Sequence, residues 1–166
     1  MNPEAPSNPP GSRTDVVADR PWITAGDTPY SAHMNRVVDG DTIRVGITLP
    51  AGVRLKQFPV RLIGIQSPEL GTADAWAASA ARLQLIHRVG AAQLVLVNPR
   101  GKTDRYGRML AWVWRRSGDT MVSVQHQMVD TGHAWWWWPK NDRSAGHVPP
   151  PEVDLRPEAQ TGEDWY

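Results

Sequence analysis

Three short stretches hold the residues in this chain best suited to chemistry: VVDGDTIRV (37–45), VRLIGIQSPE (60–69) and KTDRYGR (102–108). Arg61 sits inside an apolar run, where a charge that cannot be shed needs a partner. A guanidinium offers a planar fork matched to two phosphate oxygens. Two of them, Arg61 and Arg108, could grip a phosphodiester and stabilise the extra charge of its transition state. Arg108 follows Gly107 in a polar turn, where an ordinary exposed role is the competing reading. Asp39-Gly40 reads first as a hairpin turn, in which both residues tolerate positive φ. Asp41 then starts the following strand, where the turn has no need of it. Glu69 follows Pro68, which fixes the direction of the chain. Its plainer reading is a charge ahead of a helix, worth only about 0.3–1 kcal/mol.

The elements that must position these groups are legible from periodicity. Residues 30–38 and 41–49 are β-prone runs on either side of the turn, and a third strand is expected over 57–65. Residues 73–89 place Ala73, Trp76, Ala80, Leu83 and Ile86 close to helical spacing, with Gly90 as C-terminal cap. Strands are expected at 92–98 and 108–115, and a second helix at 121–131, closed by Gly132. The predicted fold class is α+β: a five-stranded OB-type β-barrel with two or three helices. Residues 1–28 read as a disordered arm, 29–141 as the barrel domain and 142–166 as an acidic, proline-rich tail. Pro149 to Pro151, Pro157 and Gly162 leave room in that tail for one or two helical turns near 156–161.

The bulk composition narrows the chemistry. At 166 residues the chain is long enough for one domain of ordinary size. It has no cysteine, which excludes thiolate metal sites, disulfides and cysteine nucleophiles. The five histidines show no paired metal-binding spacing. The start lacks a basic segment followed by an apolar core, so a cytoplasmic protein without membrane contact is expected. The net charge of +1 conceals segregation. Residues 1–28 carry two basic and four acidic side chains, and 142–166 carry two and six, whereas 29–141 carry fourteen and seven. A basic middle between acidic ends points to a polyanionic partner.

In order, spacing and flanking elements, the three stretches resemble the staphylococcal nuclease (thermonuclease-like) family, over roughly Tyr30 to Lys140. The resemblance implies a Ca²⁺-dependent endonuclease hydrolysing DNA and RNA, acting as a monomer on single-stranded or locally open substrate. It implies catalytic roles for Arg61, Glu69 and Arg108, with Glu69 activating the attacking water and the 5′-oxygen leaving. It places the metal on Asp41, the residue at 66 and the backbone carbonyl of Ser67, and nucleic acid near Lys102, Arg105 and Tyr106. In the tryptophan run 135–138, which cannot all face one way, Trp137 is the residue expected to reach substrate. Gln66 departs from the pattern: the family has a metal-binding carboxylate there. The alternative is therefore a nucleic-acid-binding barrel with weak or no turnover.

Overall fold

The computed structural model describes residues 27–71, 73–140 and 148–156. The expected N-terminal arm, apart from its last two residues, and the helical turns expected near 156–161, apart from residue 156, lie outside them. Strand β1 (Thr28–Asp39) pairs antiparallel with β2 (Thr42–Thr48), which pairs with β3 (Arg54–Leu62). The chain turns through Gly64 into the short β4 (Ile65–Gln66), then forms helix α1 (Ala75–Val89). Strands β5 (Leu94–Asn98) and β6 (Met109–Ser117) follow, with β5 against β1. Three parallel pairs between β3 and β6, Val60 with Met109 through Leu62 with Ala111, close the ring. A closed five-stranded barrel with two helices results, in agreement with the expected OB-type α+β class.

Burial explains why these residues form strands. On β2, Ile43, Val45 and Ile47 point inward and are essentially inaccessible, while Arg44 between the first two and Thr48 after the last are exposed. They meet Val60, Leu62, Leu94, Leu96, Ala111 and Val113 from the other strands. The α1 residues Ala81, Leu85 and Val89, with Met128 of α2 (Val124–Asp130), complete the core. A second apolar cluster outside the barrel joins Ile63, Val97, Trp112, Trp114 and Met121.

Several expectations shift. The hairpin loop is Gly40-Asp41, with Asp39 paired to Thr42, and Gly40 does not adopt positive φ. Its requirement is close approach: a Cβ there would lie 2.7 Å from both Ala81 and Ser67. The third strand runs over 54–62, because Gly64 takes φ +81° and breaks the run. Helix α1 keeps its predicted extent to within two residues, with the Gly90 amide capping Ile86 at 2.9 Å. Its buried face, however, is Ala78, Ala81, Leu85 and Val89; Trp76 is 85% exposed and Leu83 63%. Residues 120–123 form β7, hydrogen-bonded to the end of β6, so the second helix begins only at Val124, where the Ser123 side chain caps it. In the tail, β9 (Glu152–Asp154) pairs with β7, and Val153 and Leu155 pack on the second cluster. No helix among the described residues is long and apolar enough to cross a membrane.

The parallel seam is secured by one side chain. Gln125 is fully buried; its Oε1 accepts from the Val113 amide at 3.0 Å, and its Nε2 donates to the Ala111 carbonyl at 2.9 Å and to Ile63 at 3.3 Å. A buried polar group left without its partner costs about 1–3 kcal/mol. Gln125→Leu should therefore lose about 2–4 kcal/mol of stability in urea unfolding, with an unchanged denaturant slope.

Candidate active site

Where the closed ring brings the β1–β2 turn, the exit of β3 and the start of β6 together, the charged residues of the three sequence stretches converge. Asp41 is buried in the turn. Its Oδ2 accepts from the Ser67 amide at 3.0 Å and from the Ser67 hydroxyl at 3.1 Å, and lies 3.2 Å from the NH2 of Arg61. Its Oδ1 accepts from the Thr42 hydroxyl at 3.0 Å. Arg61, 9% exposed, answers the sequence puzzle of a charge in an apolar run: NH1 donates to the Leu62 carbonyl, and NH2 to Gln66 Oε1 at 3.0 Å as well as to Asp41. Burial lowers the Arg61 guanidinium from its ordinary value, and Arg108 adds to this by repulsion. Asp41 opposes both.

Arg108 reaches the same point from the other side. Its NH1 donates to Thr42 Oγ1 at 3.2 Å, while Nε is held 2.6 Å from Asp104 Oδ2. Asp104 also accepts from the backbone amides of Tyr106 and Arg108, at 2.9 and 3.0 Å, which folds the 104–108 loop around its carboxylate. Burial alone would raise the Asp104 carboxyl, but these bonds from Arg108 and Tyr106 hold it below the usual carboxylate range. Thr42 and Asp104, which the sequence reading passed over, thus tie the two arginines into a chain: Arg61, Asp41, Thr42, Arg108, Asp104. No motif spacing marks Thr42, but its direct pairing with Arg61 across β2 and β3 does.

The remaining site candidates lie outside this hydrogen-bonded chain. Tyr106 is 67% exposed, with the Arg105 and Arg108 guanidinium carbons 4.8 and 5.4 Å from its ring centre. Lys102 anchors the same loop through its backbone, accepting from Leu110 and from the Asn98 side chain. Glu69 stands exposed on the turn after Pro68. The strand β8 (Trp135–Trp136) pairs with β4, Trp135 opposite Gln66 and Trp136 opposite Ile65, and the Trp137 amide donates to Gly64 at 2.8 Å. Alternation divides the four tryptophans. Trp136 and Trp138 lean on Trp112, with ring centres 6.4 and 6.2 Å away. Trp135 and Trp137 are exposed, and Trp135 shares a face with Gln66 as its direct partner.

A hard cation takes oxygen ligands, and the residues here fit one in kind. Asp41 Oδ2 and Gln66 Oε1 already converge on one positive group, the NH2 of Arg61, and the Ser67 carbonyl accepts from Gln66 Nε2 at 3.2 Å. These three oxygens carry a single formal charge. Among the described residues no group of three or more histidine and carboxylate side chains is placed to hold a metal.

A model of the family described as staphylococcal nuclease homologue matches residues 59–149, more than half of the chain. The chain belongs to the staphylococcal nuclease homologue family. No curated protein matches it closely enough to count as a relative. In this family member the matched region spans Arg61, the whole of α1 and the Arg108 loop, while Asp41 and its turn lie just before it.

Asp39 gives the site a pH signature. Burial, and next the neighbouring Asp41 charge, push its carboxyl up to about 6 from 3.8. A carboxyl raised in the folded state binds more protons there than in the unfolded chain between these two values. Its favourable contribution is complete below pH about 3.8 and lost as pH rises through about 6. Asp39→Asn should therefore melt higher than the parent protein at pH 7–8 in the presence of chelator, and the difference should vanish towards pH 4, as followed by thermal unfolding across that range.

Proposed function

We propose that this protein is a metal-dependent endonuclease that hydrolyses phosphodiester bonds of DNA and RNA. The observation that carries the reading is the Arg61–Asp41–Thr42–Arg108 chain, which links two guanidiniums through one carboxylate and one hydroxyl. Asp41 and Asp104 hold these cations in place, and the Arg108 NH2, which has no partner among the described residues, is left for an incoming phosphate.

In this reading the two guanidiniums hold the equatorial oxygens of the scissile phosphate and stabilise the added negative charge of the five-coordinate transition state. Water attacks phosphorus in line; its proton passes to the Glu69 carboxylate. The new bond is P–O(water), and the P–O5′ bond breaks, with the departing 5′-oxygen taking a proton from solvent. Products end in 3′-phosphate. Lys102, Arg105 and Tyr106 bind the neighbouring part of the strand, and Trp137 stacks on a base. Such stacking is worth about 1–3 kcal/mol per base.

Asp41, Gln66 and the Ser67 carbonyl would hold Ca²⁺. When bound, Ca²⁺ supplies Lewis-acid polarisation of the phosphate. A neutral amide at 66 removes one charge from the ligand set. Two charges about 4 Å apart interact by roughly 4 kcal/mol at an effective dielectric near 20. After desolvation offsets part of this, the loss corresponds to roughly ten- to several-hundred-fold in metal affinity. Substrate phosphate restores part of that charge, so the metal binds best together with nucleic acid.

The second reading, a nucleic-acid-binding barrel with little or no turnover, is favoured by the same Gln66 amide. Single-stranded DNA incubated with the protein in millimolar Ca²⁺ separates the two. Cleavage that chelator abolishes, and that Gln66→Asp accelerates at low Ca²⁺, is the expected result; binding without cleavage at high Ca²⁺ supports the second reading. Arg61→Lys or Arg108→Lys, each losing the planar fork, should lower turnover by about 10²- to 10³-fold.

A further inference from the structure

The outer face of the β1–β3 sheet continues from this site as a row of cations. Residues directly opposite in an antiparallel pair share a face, and residues two apart on one strand do as well. Thr42 pairs with Arg61, so the site lies on the face of β2 that also presents Arg44. One step along, Arg44 stands directly opposite Arg36 of β1. Further along the same face come His33, whose ring covers Gly46, and Arg54 opposite Thr48. Lys56, exposed, is two residues from Arg54 on β3.

The Arg36–Arg44 pairing is the informative one. Like charges directly opposite each other on a sheet are destabilising, and both residues are exposed. Nothing compensates them locally. In residues 28–62 the only acids are Asp39 and Asp41, both taken up in the site, against five basic residues. Arg44 donates to the Gln57 carbonyl at 3.0 Å, and among the described residues none of Arg36, Arg44, Arg54 and Lys56 forms an ion pair.

We infer that Arg36 and Arg44, followed by Arg54 and Lys56, form a phosphate-binding track that holds the backbone of a single-stranded polynucleotide as it leaves the Arg61–Arg108 site. The inference rests on the proposed reading of that site. A two-residue step along an antiparallel strand advances about 6.8 Å, comparable to the separation of successive phosphates in an extended strand. The track therefore meets one backbone phosphate per step, starting next to the scissile one. It reads charge and not sequence, because guanidiniums on phosphates position the strand without contacting base edges. The substrate class that follows is a chain several nucleotides long, not a dinucleotide.

The test is the salt dependence of binding, measured by fluorescence anisotropy in chelator, with an oligothymidylate of about 12 nucleotides and with the dinucleotide dTpdT. Each phosphate contact to a single strand contributes about −0.7 to the slope of log affinity against log salt. The double variant Arg36→Gln/Arg44→Gln, which empties one step of the track, should flatten that slope by about 0.7 for the oligomer. Arg36→Lys/Arg44→Lys, which keeps the charges, should restore it. The double Gln variant should melt no lower than the parent protein, since a repulsive pair has been removed. Arg115→Gln/Arg116→Gln, the same charge change at the far end of β6, should leave the slope near the parent value. An oligomer slope unchanged in Arg36→Gln/Arg44→Gln, or flattened equally by the far-end control, overturns the track. A parent protein that binds neither probe overturns the reading of the Arg61–Arg108 site along with it.

Discussion

The buried carboxylate of Asp41 is the point on which the site depends. It receives the amide and hydroxyl of Ser67, the hydroxyl of Thr42 and a guanidinium nitrogen of Arg61. These come from three separate segments of chain. A buried charge is tolerated only when paired and hydrogen-bonded, and here the pairing itself fixes the hairpin turn against the exit of the third strand. The barrel supplies the rigidity behind it, through the parallel β3–β6 contacts and the Gln125 side chain that satisfies the backbone at that seam.

Charge balance follows from the same arrangement. Two arginines that repel one another are held in place by Asp41, Asp104 and the bridging Thr42 hydroxyl, and both keep part of their donor capacity. Gln66 is the exception in this design. It contributes an oxygen to Arg61 at 3.0 Å but no charge, so the positive character of the pocket exceeds what a carboxylate there would leave. The three oxygens of Asp41, Gln66 and Ser67 therefore carry one formal charge where a carboxylate at 66 would give two.

How much of this was legible in the sequence varied with the physics involved. Arg61, with a charge that must be met inside an apolar run, announced a buried partner, and Asp41, Gln66 and Leu62 now supply it. The barrel was readable because β-branched residues alternate on β2 and a helix separates the third and fourth long strands. The face of α1 was misread: in an alanine-rich helix, large residues mark the apolar stripe only if the core has room for them. Ala81 is buried where the turn approaches most closely, and Trp76 stands at the surface. The strand at 120–123 resembled the start of a helix because four residues, only Met121 and Val122 of them apolar, carry no decisive period. The partnership of β9 with β7 joins residues some thirty positions apart, a long-range pairing that local composition does not reveal.

Gly40 gives the arrangement a dynamic corollary. It is wedged between Ala81 of α1 and Ser67, within a distance that no side chain could occupy. The residue before Asp41 therefore rests directly on the helix and on Ser67, which is bonded to Asp41. Any local opening that lifts α1 from the barrel also loosens the turn and releases the carboxylate from its donors. The site and the helix belong to one cooperative unit in the sense of native-state exchange.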